Sequence, residues 1–257
     1  MWYGSTQYYQ AILPKHALLI AINQEMQRMM QWVLTQLDIK IKNGYLYNPI
    51  DIEYIQQKSN QQPDSPTDLA LLHQPFLLQV ARLESGKNHQ QLINIFAQLK
   101  QQGLPHKLYI IGDGELYHTL NHQIQTLGLA KECLLLGSYT NPYPFMKHAD
   151  LFLHTSLHEG LPTVLIESMI CGTPVVAMKC RTGVAEILGD GQYGALIEAG
   201  NQQDFIDATS ALLNNPSKIQ QYQEKPPQAV QRFSFQNIET MTLNMFDYVF
   251  AKFGTNR

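Results

Sequence analysis

Between Pro75 and Ile197, short apolar runs alternate with longer segments whose apolar residues recur at helical spacing. This is the pattern of a parallel sheet whose strands are joined by crossover helices. The runs are FLLQVA from Phe76, KLYIIG from Lys107, CLLLG from Cys133, DLFLHT from Asp150, PVVAM from Pro174 and YGALIE from Tyr193. Each is near-continuously apolar, so each is expected as a strand buried on both faces. Between the first two, His89 to Gln102 sets Leu92, Ile93, Phe96 and Leu99 at helical spacing and meets Gly103 as a stop, which completes a βαβ unit. The expected fold class is α/β, a Rossmann-like parallel sheet with helices on both faces.

The flanks follow other patterns. Over residues 1–50, HALLIAI from His16, a polar helix-like stretch to Gln36 and YLYNPID from Tyr45 amount to a fragment of another βα unit, which cannot bury its own faces alone. Residues 51–74 contain the polar, proline-bearing QQKSNQQPDSPTD from Gln56 and are expected as a linker. The main domain then covers 75–230. After a break at Lys225-Pro226-Pro227, residues 231–257 are expected to hold a crossover helix with the stripe Ile238, Met241, Met245, Val249 and Phe253.

Composition limits the function classes. Of 257 residues, 44% are hydrophobic and 15% charged with a net charge of −3, an ordinary globular balance without the basic surplus of a nucleic-acid binder. Cys133, Cys171 and Cys180 are odd in number and form no C-x-x-C pair, so reduced thiols are expected rather than a disulfide framework or a zinc site. The apolar runs fall far short of the roughly 20 residues needed to cross a bilayer. MWYGSTQYYQ at the start lacks the basic region and cleavage site of a signal peptide. The expected location is cytoplasmic, with any membrane contact peripheral and on the inner face.

The richest chemistry lies in HEGLPTVLIESM, where Glu159 and Glu167 flank Gly160, Leu161, Pro162, Thr163 and Val164. Proline favours the first turn of a helix, so a helix is expected to begin near Leu161 to Thr163, with Glu159 in the preceding loop and Glu167 in the second turn. The unpaired N–H groups of Thr163 and Val164, together with the macrodipole, make an anion site suited to a diphosphate. Taken singly, the two glutamates fit a solvated loop residue and a helix salt bridge as well. In QVARLESGKNHQQL, Arg82 and Lys87 fall in the loop after the first strand, on the sheet edge where open α/β proteins bind ligands. Both cations suit phosphate oxygens and the charge of a departing diphosphate. LYIIGDGEL carries Gly112 and Gly114 in a tight turn, but Tyr117 stands where a dinucleotide fingerprint has its third glycine, so NAD or FAD is not expected. His148, His154 and His158 cross a strand and a loop and are set aside as metal ligands, with His154 expected to line the pocket. With no D-x-D pair and no G-x-S-x-G, a metal-free phosphate site is expected.

Taken together these motifs resemble glycosyltransferase family four, retaining enzymes of the GT-B fold, over nearly the whole chain. Glu159 and Glu167 match its E-x7-E signature, Arg82 and Lys87 its arginine-lysine loop, Gly112 to Gly114 its G-D-G turn, YLYNPID the segment opening its second domain, and GTPVVA from Gly172 its next strand. The resemblance implies a nucleotide diphosphate sugar as donor, a UDP-sugar foremost, with no separate cofactor or metal. It places Arg82 and Lys87 on the diphosphate, Glu159 on the sugar and Glu167 on the ribose, with the backbone of Gly160 to Val164 along phosphate and sugar. It implies a glycan or lipid-linked acceptor. The run from Asn141 to Ser168 is most similar to enzymes that build bacterial capsule, lipopolysaccharide or related surface glycans. Residues 1–50 then correspond to a remnant of the N-terminal acceptor-side domain, with a partner chain expected to supply the rest. The alternatives are a non-catalytic nucleotide-sugar-binding subunit and a nucleotide-sugar epimerase.

Overall fold

The computed structural model describes residues 10–16, 18–63 and 65–253, and no side chains beyond Ala251. The signal-peptide reading of the first nine residues and the burial of Phe253 therefore lie outside the described residues. Two compact units emerge: the described residues up to Ile50 together with those from Arg232 onward, and Asp51–Gln231.

In the first unit, β1 (Leu19–Ala21) and β2 (Asn43–Tyr45) pair in parallel around α1 (Gln24–Gln36). Asn23 starts α1 by accepting the Met26 N–H at 2.7 Å, a standard N-cap. Leu13, Ala21, Met30 and Leu34 form a small core. The C-terminal helix Phe235–Phe253 belongs to this unit. Its predicted stripe faces inward, with Ile238 buried and Met241, Met245 and Val249 half-buried, and Met245 packs over Gly44 of β2.

The second unit opens with α2 (Ile52–Ser59) and α3 (Pro66–Leu72), in the segment expected as a linker. Their polar character reflects half-exposed helices: Asp51 caps α2 at the Tyr54 N–H, Ser65 and Pro66 start α3, and only Ile55, Ser59 and Leu72 are buried. Then follow β3 (Phe76–Val80), α4 (His89–Gln101), β4 (Lys107–Ile111), α5 (Tyr117–Thr126), β5 (Cys133–Gly137), α6 (Tyr143–His148), β6 (Leu151–His154), α7 (Thr163–Ile170), β7 (Val175–Met178), α8 (Val184–Ile187) and β8 (Ala195–Ile197). Three more helices, α9 (Gln202–Leu213), α10 (Pro216–Glu224) and α11 (Pro226–Ala229), complete it. All six expected strands form one parallel sheet in the order β5-β4-β3-β6-β7-β8, with helices on both faces.

Burial follows sheet position rather than the uniform burial expected from composition. Inner strands β6 and β7 are fully buried, whereas the edge strands β5 and β8 are mostly half-buried because each has one strand neighbour and an open side. Under β3 and β4, Phe76 stacks on Tyr109 at 4.6 Å and both meet Phe145 edge-on. On the α2 side, Tyr139 donates to Asp68 at 2.6 Å and Asn141 to the Lys58 carbonyl at 3.1 Å, which ties the former linker into this unit. Among the described residues, no helix is long and apolar enough to cross a membrane.

Candidate functional site

The chain runs from β3 to β4 and β5 on one side, then returns to β6 beside β3 and proceeds to β7 and β8 on the other. Strand order therefore reverses between β3 and β6, the position at which open α/β sheets generally bind their ligands. Arg82 and Lys87 lie on the loop after β3, and Glu159 lies on the loop after β6. The reversal is what brings residues 72 positions apart into contact: Lys87 Nζ donates to Glu159 Oε1 at 2.7 Å, with both side chains largely buried.

A set of backbone bonds fixes these loops. The Leu157 N–H donates to the Gly86 carbonyl at 2.9 Å, and the Thr155 hydroxyl lies 3.2 Å from the carbonyls of Lys87 and Asn88. Thr155 also meets the Gln79 amide at 3.4 Å, and Gln79 meets Nδ1 of His89 at 2.5 Å. The other ring nitrogen, Nε2, lies 2.9 Å from the Arg82 carbonyl. Both facing oxygens, Gln79 Oε1 and the Arg82 carbonyl, can only accept, so a neutral ring donates to one of them and its tautomer decides which. Gln79, His89 and Thr155 are each fully buried, which makes this a polar strap beneath the two site loops. Burial holds the His89 imidazole below its ordinary pKa, with the Lys87 charge acting in the same direction.

Beyond Glu159, α7 begins at Thr163 with Pro162 as its N-cap, inside the range expected from the proline. Gly160, Leu161 and Pro162 lead into it, and the first-turn N–H groups of Thr163 and Val164 have no preceding helical carbonyl to bond. Glu167 sits one turn further in and is half-buried. Burial raises its carboxyl above the usual range, offset in part by a hydrogen bond from the Thr163 hydroxyl. Tyr143 and Cys171 stand close enough to Glu167 to feel its charge: desolvation first, then that charge, pushes the phenol and the thiol each up to about 12.

Arg82 is placed differently from Lys87. Its side chain is exposed and pairs with Glu84 at 3.0 Å. Gly112 and Gly114 lie on the loop after β4, beside the backbone of the β3 loop. They let the β4 loop run against the backbone of the β3 loop, since a Cβ on Gly112 would sit 1.9 Å from the Ala81 carbonyl oxygen.

Thr182 and Gly183 escaped the motif reading. The Thr182 hydroxyl donates to the Glu159 carbonyl, and a Cβ on Gly183 would meet the Gly160 carbonyl at 2.3 Å, so the β7 loop braces the Glu159 loop from behind. The available signal was a Thr-Gly pair just after a strand on the same sheet edge. His148 bonds back to the Pro144 carbonyl within α6, away from His154, whereas His154 lies 3.6 Å from Glu159. Among the described residues, no group of three His, Cys, Asp or Glu side chains has the arrangement to hold a metal ion. All three cysteines are free, and burial raises each thiol, which leaves them poor nucleophiles.

Comparison with known proteins identifies the family and matches the fold. The family described as "Glycosyl transferases group 1" matches residues 61–228. The chain is 37% identical over 180 residues to the N-acetylgalactosamine-N,N'-diacetylbacillosaminyl-diphospho-undecaprenol 4-alpha-N-acetylgalactosaminyltransferase of Campylobacter jejuni, covering 70% of this chain and 47% of that protein. It is 31% identical to the amylovoran biosynthesis glycosyltransferase AmsD of Erwinia amylovora, covering 63% of this chain and 46% of that one. The chain thus spans about half the length of these curated relatives. Among solved structures, Anabaena Alr3699/HepE in complex with UDP-glucose superposes with a TM-score of 0.76 at 23% identity, covering 94% of this chain and 67% of that one.

Proposed function

The chain belongs to the group 1 glycosyl transferases, and on that premise we propose that it binds a nucleotide diphosphate sugar, a UDP-sugar foremost, and serves its transfer to a glycan or lipid-linked acceptor with retention of anomeric configuration. The observation that carries this reading is the Lys87–Glu159 pair at the strand-order reversal, directly ahead of the α7 N-terminus. In the proposed complex the diphosphate lies on the N–H groups of Thr163 and Val164, where the helix dipole favours negative charge. Lys87 adds a largely buried cation and Arg82 an exposed one. Together they stabilise the charge that grows on the departing diphosphate, which is where electrostatic catalysis acts most strongly. Glu159 accepts from hydroxyls of the sugar, and Glu167 accepts from the ribose. No divalent ion is required, because helix N-terminus and side-chain cations supply the positive charge.

The acceptor class is proposed from the relatives: the Campylobacter protein is named for a diphospho-undecaprenol acceptor, and the Erwinia protein for amylovoran biosynthesis. The proposed setting is bacterial surface polysaccharide synthesis, with any membrane contact peripheral and on the cytoplasmic face. The test is incubation of the chain with UDP-sugars and undecaprenyl diphosphate-linked or free glycan acceptors, followed by NMR of the product. Transfer that keeps the α configuration of an α-linked donor is expected. A β-linked product overturns retention, and UDP-sugar epimers in place of a transfer product overturn transfer itself.

A further inference from the structure

His154 ends β6 with 1% of its surface exposed, and its Nε2 has no hydrogen-bond partner among the described residues. Glu159 Oε1 lies 3.6 Å away, the same oxygen that Lys87 Nζ holds at 2.7 Å. At 3.6 Å no hydrogen bond exists, yet a carboxylate displacement of roughly 0.7 Å makes one. The charged and titratable groups facing the ring are Glu159, Lys87 and His89. Burial and the two neighbouring bases keep the imidazole neutral, with its pKa pushed down to about 4, while the Glu159 charge works the other way. A neutral imidazole protonated at Nε2 is a donor without charge, which is what a carboxylate needs once its ammonium partner leaves.

We propose that His154 is a positioning residue for the donor site: when the diphosphate draws Lys87 away, the His154 Nε2–H takes over Glu159 Oε1 and holds that carboxylate against the donor sugar. The inference rests on the donor-site reading above. The surrounding bonds allow this exchange. The Glu159 backbone is clamped by the Thr182 hydroxyl at its carbonyl, and the loop by the Leu157 N–H at Gly86, so the side chain moves while the main chain stays. Lys87 is free to serve two anions in turn, because its partner is provided for in both states. Glu159 therefore enters the complex as an oriented acceptor, without having to be desolvated unpaired.

The prediction concerns the gain in affinity that the sugar adds to the nucleotide. Calorimetric titrations with UDP, UDP-glucose and UDP-N-acetylglucosamine are run on the wild-type chain, His154→Leu and His154→Gln, with thermal melts to verify folding. UDP, which presents no sugar to Glu159, binds all three within about twofold. For the preferred UDP-sugar, the affinity ratio over UDP falls about tenfold in His154→Leu and returns in His154→Gln, whose amide N–H replaces the Nε2–H. A folded His154→Leu chain that keeps the wild-type ratio overturns the inference, as does a folded His154→Gln chain that fails to restore it. A wild-type chain that binds UDP with no gain from either sugar also overturns it while leaving the nucleotide site intact. A wild-type chain that binds none of the three overturns the donor-site reading and this inference with it.

Discussion

Glu167 carries a conflict between stability and function. Burial raises its carboxyl pKa above the unfolded value, so its contribution to stability is complete below that unfolded value and is lost as pH rises through the folded one. At neutral pH the charged form opposes folding, yet the proposed donor complex uses that charge to clamp the ribose. Glu167→Gln is therefore expected to raise Tm at pH 7 in a thermal melt and to weaken UDP binding about tenfold or more, the usual cost of losing hydrogen bonds to a charged acceptor. A lower Tm with unchanged affinity contradicts this assignment. At this scale the sequence was most legible where a charged residue follows an apolar strand, as with Lys87 and Glu159. It was silent on Gln79, His89 and Thr155, because a polar residue inside an apolar run shows its partners only after distant strands meet.

The loops are held as elements by close backbone contact more than by side chains. Gly112 has φ +146°, and any Cβ there would lie 1.9 Å from the Ala81 carbonyl oxygen, so the β4 loop and the β3 loop are pressed together behind the site. Gly112→Ala is expected to destabilise the chain by roughly 2–4 kcal/mol through combined backbone strain and overpacking. Urea unfolding with an unchanged m-value checks this, and a loss under about 0.5 kcal/mol contradicts it. All six strands of the main sheet were legible, since the apolar runs are short and alternate with longer segments of helical period. Their unequal burial was not, because an edge strand such as β8 differs from an inner one only by its neighbours. The helices α2 and α3 were hidden for a related reason: with so few buried positions, a half-exposed helix has the composition of a linker, and only the caps at Asp51 and Ser65 signalled it.

For the whole molecule, two buried imidazoles set the response to acid. The His89 and His154 pKa values lie below the ordinary 6.5, that of His154 at about 4, so over this window the unfolded chain binds more protons than the folded one. Stability should fall as pH drops from about 6.5 to 4, with His154 accounting for about 3 kcal/mol. His154→Gln should flatten that slope in urea titrations across the range, and an unaltered slope contradicts it. The grouping of the C-terminal helix with the first fifty residues was not readable from its stripe alone, which shows which face is buried without naming what covers it. The central claim is that the chain binds a nucleotide diphosphate at the strand-order reversal between β3 and β6. Its most direct test is calorimetric titration of the chain with UDP, GDP and ADP without divalent metal, repeated on Lys87→Ala. Binding of one nucleotide at a single site, weakened about tenfold or more by the substitution, is the predicted result. A folded chain that binds none of the three, or binds equally well without Lys87, would contradict it.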